Sequence, residues 1–446
     1  MKVLAAQQMR EADRRTIEQG TPGDVLMARA GAKVVDFLES EFSPLSQQRV
    51  VIFCGTGNNG GDGLVVGRLL KTRVASLQVV RSADAPGPVD REATIVIDAL
   101  LGTGFREPVD GRYAELIATI NEQFPRAKVV AVDIPSAMQV RADFTVTFAA
   151  PKAEMLLDPR AGNAGKLIVA DIGIPAEFLQ SNLELSEPRD FAPLFQPRKR
   201  DANKGDYGHV LVVGGAAGKT GSVAMSGLAA LRMGAGLVTV ACADSSRLVP
   251  ELMTQSLDAV SLERMTVLAI GPGLGMNREL VSKLTHDAKI PTVIDADALN
   301  SIAGTDFRGR GVETVLTPHP GEMGRLLGLK AAVKVEDRTT TARQFAIDRN
   351  VCLVLKGFRT LIAFPDGKVW INPTGSPALA KGGTGDVLTG LVSGLIAQTP
   401  NIGLAVRAAV WLHGRAGELA AEALTEYCVL ATDLLTYLPR AIRELL

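Results

Sequence analysis

Arg49-Val50-Val51-Ile52-Phe53-Cys54-Gly55-Thr56-Gly57-Asn58-Asn59-Gly60-Gly61-Asp62-Gly63, running on into Leu64-Val65-Val66-Gly67-Arg68-Leu69-Leu70, is the stretch that decides the fold. Residues 49–54 read as a buried strand, the glycine-rich turn follows, and residues 64–70 read as a helix packed behind it. Short apolar runs recur at 94–99, 128–132, 144–148 and 167–169. Strands alternating with helices predict a doubly wound α/β sheet. Two helical patterns, at residues 7–19 and 24–40, precede it.

A length of 446 residues exceeds one ordinary core and predicts two domains. Periodicity fades into prolines and charges over residues 181–204, which places the first domain at 1–190 and the second at 200–446. The basic cluster there, Arg198, Lys199 and Arg200, reads as a solvated linker. A second α/β pattern then offers strands at 209–213, 237–241, 267–270, 292–294, 313–316, 351–355 and 360–364.

Hydrophobic residues make up 46% of the chain and charged residues 22%, with 48 basic against 48 acidic side chains. This balance predicts no nucleic-acid partner. Cys54, Cys242, Cys352 and Cys428 form no CxxC pair, which argues against zinc and against a disulfide scaffold and favours a reducing cytoplasm. No secretory leader is expected, since charge begins at Arg10, and no membrane span, since the most apolar stretch (224–241) is broken by Arg232 and glycines. The apolar face at Val25, Leu26, Ala30, Val34, Phe37 and Leu38 serves either packing within the chain or a homo-oligomer.

Several turns carry candidate chemistry. A glycine-rich strand-to-helix turn suits an anion. Asn58, Asn59 and Asp62 add oxygens for a cation or polar ligand, or an Asx-stabilised turn. Two more strand ends deliver Asp98 before Leu100-Leu101-Gly102-Thr103-Gly104, and Asp133 before Ile134-Pro135-Ser136. Three polar loops on one carboxyl edge favour a site.

In the second half, Gly214-Gly215-Ala216-Ala217-Gly218-Lys219-Thr220 fails the P-loop spacing, because the first required glycine falls on Val213. Lys219 is expected to be exposed. Lys381-Gly382-Gly383-Thr384-Gly385-Asp386 is stronger: amides at a helix start near Asp386 can neutralise a phosphoryl group while Asp386 accepts a proton. Its plainer reading is a carboxylate favoured by the helix dipole. Polar turns at Gly271–Gly275, Asp295–Asp297 and Thr317–Glu322 follow other strands. His319, between two prolines, reads as a fixed hydrogen-bonding ligand, and His209 and His413 as structural.

On GTGNNGGDG, DALLGTG and DIPS in the first half, and NKGDYGHVLVVGG, LRMGAGLVTVA, GPGLG, DADALN, TPHPGEM and AKGGTGDVLTG in the second, the chain resembles the bifunctional NAD(P)H-hydrate repair enzymes. These fuse an NAD(P)HX epimerase to an ADP-dependent NAD(P)HX dehydratase. The resemblance implies a Rossmann-like first domain followed by a ribokinase-like second domain. It also implies NADHX and NADPHX as substrates, ADP as phosphoryl donor, and Mg²⁺ and K⁺ as ions. In the first domain it places Asn58, Asn59, Gly60, Gly61 and Asp62, with Gly102, Thr103, Gly104, Phe105, Arg106, Glu107 and Pro108, on the hydrate. It makes Asp133 the acid or base, and Asn59, Asp98 and Ser136 the potassium ligands. In the second it makes Asp386 the base. Ser222, Gly273, Gly275 and His319 would meet the hydrate, and Lys356, Gly357, Phe358, Arg359, Thr360, Gly383, Thr384 and Gly385 the nucleotide.

The chain departs from the pattern at Ala137, where the family usually has glycine, at Ser222, where many relatives have alanine, and in short segments at 70–94 and 137–144. Two alternatives stand beside this reading: a ribokinase-like small-molecule kinase, and a first domain that binds nucleotide without catalysis.

Overall fold

The computed structural model describes residues 1–105, 108–157, 159–246, 248–329 and 337–446. Contacts divide the described chain into two compact units, Met1–Ser181 and Asn182–Leu446.

The first unit carries strands β1 (Arg49–Cys54), β2 (Ser76–Arg81), β3 (Ile95–Ala99), β4 (Lys128–Val132), β5 (Phe144–Phe148) and β6 (Lys166–Ala170). They form one parallel sheet in the order β2-β1-β3-β4-β5-β6. Starting at β1 and winding both ways creates a switch point between β1 and β3, where ligands bind in such sheets. Leu26, Ala30, Val34, Phe37 and Leu38 of the Gly23–Phe42 helix are buried in one core cluster with residues of β1, β3 and β5, whereas Val25 is exposed.

The helix expected over residues 64–70 starts six residues earlier: Asn58–Leu70 is helical throughout, capped by extended Gly57. Glycine is a poor helix former, so tertiary packing must override it. A Cβ on Gly60 would lie 1.9 Å from the Gly55 carbonyl oxygen. Only a bare backbone lets this helix begin directly over the end of β1. Crossovers elsewhere are short. Residues 82–94, all described, carry no helix between β2 and β3, and residues 133–143 join β4 to β5 through a single 3₁₀ turn, Ser136–Met138.

The second unit begins with β7 (Leu183–Leu185), inside the stretch read from sequence as linker, and continues with β8 (His209–Val213), β9 (Leu237–Cys242), β10 (Met253–Ser256) and β11 (Val267–Ile270). Then come β12 (Thr292–Ile294), β13 (Gly311–Leu316), β14 (Val351–Leu355), β15 (Leu361–Ala363) and β16 (Val369–Ile371). The sheet order is β10-β9-β8-β11-β12-β13-β14-β15-β16-β7, parallel up to β14 and antiparallel at β14–β15–β16. Helices Thr220–Arg232, Thr384–Ile396 and Ile402–Cys428 contribute to the main core. Arg198 is not a free linker charge: its guanidinium stacks 3.7 Å from the Tyr207 ring centre and donates to the Gly234 carbonyl.

Candidate active sites

In the first unit, the ends of β1, β3, β4 and β5 open onto a cavity of about 560 Å³. Asn58, Asn59, Asp62, Gly102, Thr103, Gly104, Phe105 and Asp133 line it. Gly60 faces Gly55, and Gly61 faces Met27, where their lack of a side chain permits close packing. Pro108 is exposed and outside the lining. Arg106 and Glu107 lie outside the described residues.

Asp133 has φ +65°, a left-handed conformation rare for a side-chain-bearing residue and common at functional sites. An ion pair with Lys152 holds it there. Lys152 is only 1% exposed and also donates to Thr147 Oγ1 (2.9 Å) and the Phe148 carbonyl (3.2 Å). Sequence reasoning missed Lys152, and it missed Asp13 on the Ala6–Glu18 helix, which lines the same cavity.

Three carboxylates thus share one cavity with Lys152. Burial, then the charges of Asp133 and Asp13, push Asp62 up to about 8 against the opposing pull of Lys152. Asp13 is pushed up to about 6, chiefly by burial and then by Asp133.

These shifts fix a pH dependence. A carboxyl group whose folded-state pKa is raised stabilises the fold most when both states are protonated, and that stability is lost as pH rises to the folded value. The first unit is therefore expected to weaken between about pH 4 and pH 8, and Asp62→Asn should flatten this decline. Hydrogen exchange of β1 and β3 amides across that range is the measurement; an unchanged slope in the variant would remove Asp62 as its source.

Beneath the cavity, Asp98 is fully buried. It accepts from Ser136 Oγ (2.6 Å), Ser136 N (2.7 Å) and Leu100 N (3.2 Å). Burial pushes its carboxyl up to about 6 even against those donors. Asn59 is 6% exposed and donates to the Leu101 carbonyl, while its Oδ1 has no hydrogen-bond partner. An orphaned amide oxygen near a buried carboxylate and hydroxyl is an all-oxygen donor set of the kind hard cations take. These three residues fit the potassium expectation.

In the second unit, a cavity of about 780 Å³ is lined by Lys356, Gly357, Phe358, Arg359, Thr360, Gly383, Thr384 and Gly385, together with His319 and His413. Gly383 caps the Thr384–Ile396 helix at φ +93°, a conformation suited to glycine. The helix therefore begins two residues before Asp386, and Gly383, Thr384 and Gly385 line the cavity. His413, read from sequence as structural, meets the Thr384 carbonyl through Nε2 at 2.9 Å, and burial pushes it down to about 4. It is a neutral prop under the glycine loop. His209 contacts Thr239 Oγ1 at 2.8 Å and is half-buried at the start of β8.

Asp295, 1% exposed, accepts from Thr317 Oγ1 (2.7 Å), Thr389 Oγ1 (2.8 Å) and Lys356 Nζ (3.0 Å). Burial opposes the Lys356 charge, but Asp295 and Glu322 outweigh it and hold its pKa above the ordinary value. His319 caps the Pro320–Leu326 helix, its Nδ1 accepting from Gly321 N (3.0 Å) and Glu322 N (3.3 Å). That leaves Nε2 to carry any proton. His319 lines the same cavity as Lys356–Thr360, and Ser222, Gly273 and Gly275 lie outside that lining.

Those three meet elsewhere. A Cβ on Gly273 would lie 3.1 Å from Ser222 Cβ, Gly275 N donates to Asp297 Oδ2 (2.7 Å), and Lys219, its side chain 56% exposed, pairs with the same carboxylate at 3.5 Å. Asp386 adjoins the helix that carries Ser222, its main-chain carbonyl accepting from Ser226 Oγ at 2.8 Å. Burial, then Asp295, push Asp386 up to about 6, with Ser222 and Lys356 opposing and Asp297 assisting. A half-buried carboxylate with that proton affinity beside a helix N-terminus is suited to general base work near neutrality.

Residues 210–440 match the family model described as NAD(P)H-hydrate dehydratase, and residues 23–93 and 77–154 match the YjeF-related protein N-terminus in two overlapping pieces. The bifunctional NAD(P)H-hydrate repair enzyme of Moorella thermoacetica is 39% identical over 100% of this chain and 97% of its own length. The chain belongs to the family of bifunctional NAD(P)H-hydrate repair enzymes. The Escherichia coli member is 32% identical over 94% of this chain and 89% of its own. Among solved structures, the ADP/ATP-dependent NAD(P)H-hydrate dehydratase of Bacillus subtilis, co-crystallised with ATP and Mg²⁺, is 32% identical and covers 60% of this chain and 100% of its own, with a TM-score of 0.55. A ribokinase-like protein of Enterococcus faecalis covers 60% of this chain at 28% identity and a TM-score of 0.54. The first half is the epimerase domain of the family and the second the ribokinase-like dehydratase domain.

The Moorella alignment runs over 518 positions against the 446 residues here, so the relative carries residues opposite gaps in this chain. The two N-terminal matches overlap at 77–93, which covers most of β2 and nearly all of the helix-free passage after it.

No described helix is long and apolar enough to cross a membrane.

Proposed function

We propose that Asp386 is the base of an ADP-driven dehydration of NADHX and NADPHX. The observation that carries this is its position: a carboxylate pushed up to about 6 in the first turn of a glycine-capped helix whose first residues line the cavity of about 780 Å³. Asp386 takes the proton of the hydrate hydroxyl as that oxygen attacks the terminal phosphorus of ADP. The amides around Gly383–Gly385 hold the transferring phosphoryl group. AMP leaves. Phosphate then departs from the hydrated carbon as the adjacent carbon loses a proton, which restores the dihydronicotinamide double bond. Hydroxide is a poor leaving group, and phosphorylation replaces it with a good one. Lys356–Thr360 and His319 wall the nucleotide, and Ser222, Gly273 and Gly275 the hydrate. Asp295 and Glu322 are already engaged by Lys356, so Mg²⁺ is carried on the nucleotide phosphates, where it offsets their charge.

In the first unit, Asp133 serves as acid or base while Asn58, Asn59, Asp62 and the loop from Gly102 position the hydrate for R–S interconversion. Potassium at Asn59, Asp98 and Ser136 would offset the buried Asp98 charge and brace the loop after β3.

Purified protein supplied with R-hydrate and ADP is expected to restore NADH absorbance completely and faster than spontaneous epimerisation allows. Consumption of S-hydrate alone would reduce the first unit to a binding module. A stable phosphorylated hydrate without NADH recovery would favour a kinase.

A further inference from the structure

Asp295, just past the end of β12, ties together three other elements. Its Oδ1 accepts from Lys356 Nζ (3.0 Å) after β14 and from Thr317 Oγ1 (2.7 Å) after β13. Its Oδ2 accepts from Thr389 Oγ1 (2.8 Å) on the Thr384–Ile396 helix that carries Asp386. The ion pair is lopsided. The Asp295 side chain is 2% exposed and that of Lys356 20%, and Lys356 lines the cavity while Asp295 does not. A buried pair gains little stability over an apolar contact, so the lopsidedness points to a use for the open end. The ammonium also lies at the glycine-capped helix start, since a Cβ on Gly385 would sit 3.4 Å from Lys356 Nζ. Glu322 approaches Nζ only to 3.9 Å, beyond hydrogen-bond range. Among the described residues Asp295 is therefore the one acceptor for an ammonium with three donors.

We propose that Asp295 is a positioning residue for phosphate recognition: it holds the Lys356 ammonium beside Gly385, with two donors left for the terminal phosphate of ADP. This rests on the nucleotide reading of that cavity and assigns the cation that meets the phosphoryl group to be transferred. Thr317 and Thr389 fix the carboxylate through both of its oxygens, and so set the direction of the ammonium. Burial disfavours the Lys356 charge, but Asp295 and Glu322 outweigh it, so the ammonium stays charged at neutral pH. A phosphate arriving there meets a helix N-terminus and a cation together.

The test is calorimetric titration of the full chain with ADP and with AMP, at one fixed Mg²⁺ concentration and without hydrate. Turnover would mix two effects, since Asp295 also disfavours the ionised form of Asp386. AMP lacks the terminal phosphate, so the ratio of the two affinities reads the contact to that group. Lys356→Met should lower ADP affinity by about tenfold to a hundredfold, the order of a hydrogen bond between charged groups, and leave AMP within about threefold. Asp295→Asn, which keeps the shape without the charge, should lower ADP affinity by about tenfold with AMP again nearly unchanged. The double variant should match Lys356→Met, because a residue that acts through the ammonium then has nothing left to position. Losing one partner of a buried pair threatens folding. Thr389→Val, which keeps both charges and removes one donor to Asp295, is therefore measured alongside and should lower the ratio by about twofold to fivefold. An unchanged ratio in Asp295→Asn, or in Thr389→Val if Asp295→Asn does not fold, overturns the proposal. Equal losses for ADP and AMP, or additive effects in the double variant, overturn it as well. An unsubstituted chain that binds neither nucleotide overturns the nucleotide reading, and the proposal with it.

Discussion

Replacing Asp386 with asparagine is expected to lower the dehydratase kcat by about 10²–10⁴-fold, the range general acid–base groups contribute, while making the second unit more stable at pH 8. The two effects have one cause. Burial and the Asp295 and Asp297 carboxylates hold Asp386 up at about 6, so at neutral pH the fold maintains a charge that its surroundings disfavour. The stability tied to the raised pKa is complete below about pH 4 and is lost as pH rises through 6. Asparagine ends that loss, a gain of up to about 3 kcal/mol at pH 8 by the usual conversion of a pKa shift. The amide has the same shape. It gives up the interaction of a first-turn carboxylate with the helix dipole, about 0.3–1 kcal/mol, so the net effect remains stabilising. Stopped assays of NADH recovery and urea unfolding at pH 5 and pH 8 make the comparison. Retention of more than a tenth of the turnover would remove Asp386 as the base. A variant less stable at pH 8 would contradict the electrostatic account of the site.

The glycine-capped start of the Thr384–Ile396 helix was legible because its signal is local: positive-φ glycine, then an acidic first turn, then an apolar run. The Asn58–Leu70 helix was legible only in its second half. Six residues that look like loop become helix because Gly60 must pass over Gly55, and contact between two backbones leaves no periodic mark in sequence. Strand β2 escaped because Ser76–Arg81 is half-buried and mixed in polarity, with a second strand on one side only. Strands β7 (Leu-Glu-Leu) and β10 (Met-Thr-Gln-Ser) are short and partly polar, without the apolar run that marks the equally short β15 (Leu-Ile-Ala). Asp13 is one charge among Arg10, Glu11, Arg14 and Arg15 on an amphipathic helix, and only the fold shows that it faces the cavity while its neighbour Arg14 pairs with Glu11 and Glu18 in solvent. Lys152 follows a strand by four residues and gives no sign that it will be the ammonium buried beside Asp133.

Lys152 carries the other large expected effect. Replacing it with methionine, which fills similar volume without the charge, should destabilise the first unit by about 3 kcal/mol, the lower end for removing one partner of a buried ion pair. The lower end applies because Asp133 is 18% exposed at its side chain and can draw on water from the cavity. Three acceptors lose their donor at once: Asp133 Oδ1, Thr147 Oγ1 and the Phe148 carbonyl. The cavity then holds Asp13, Asp62 and Asp133 without the cation that restrains them, so Asp62, already at about 8, rises further. Epimerase activity should fall by at least about 100-fold, since Asp133 loses the contact that holds its φ +65° geometry, and misplacement of about 1 Å has that cost. The double variant Lys152→Met with Asp133→Asn separates structure from chemistry. Removing both charges should recover most of the lost stability while leaving epimerisation abolished, a coupling that single variants cannot show. Hydrogen exchange across β4 and β5, followed in the full chain, reads the stability, and conversion of pure R-hydrate in the presence of ADP reads the activity. If the double variant is as unstable as Lys152→Met alone, the ammonium supports the fold through Thr147 and Phe148 and not through Asp133. If Lys152→Met epimerises at the unsubstituted rate, the ion pair has no part in catalysis.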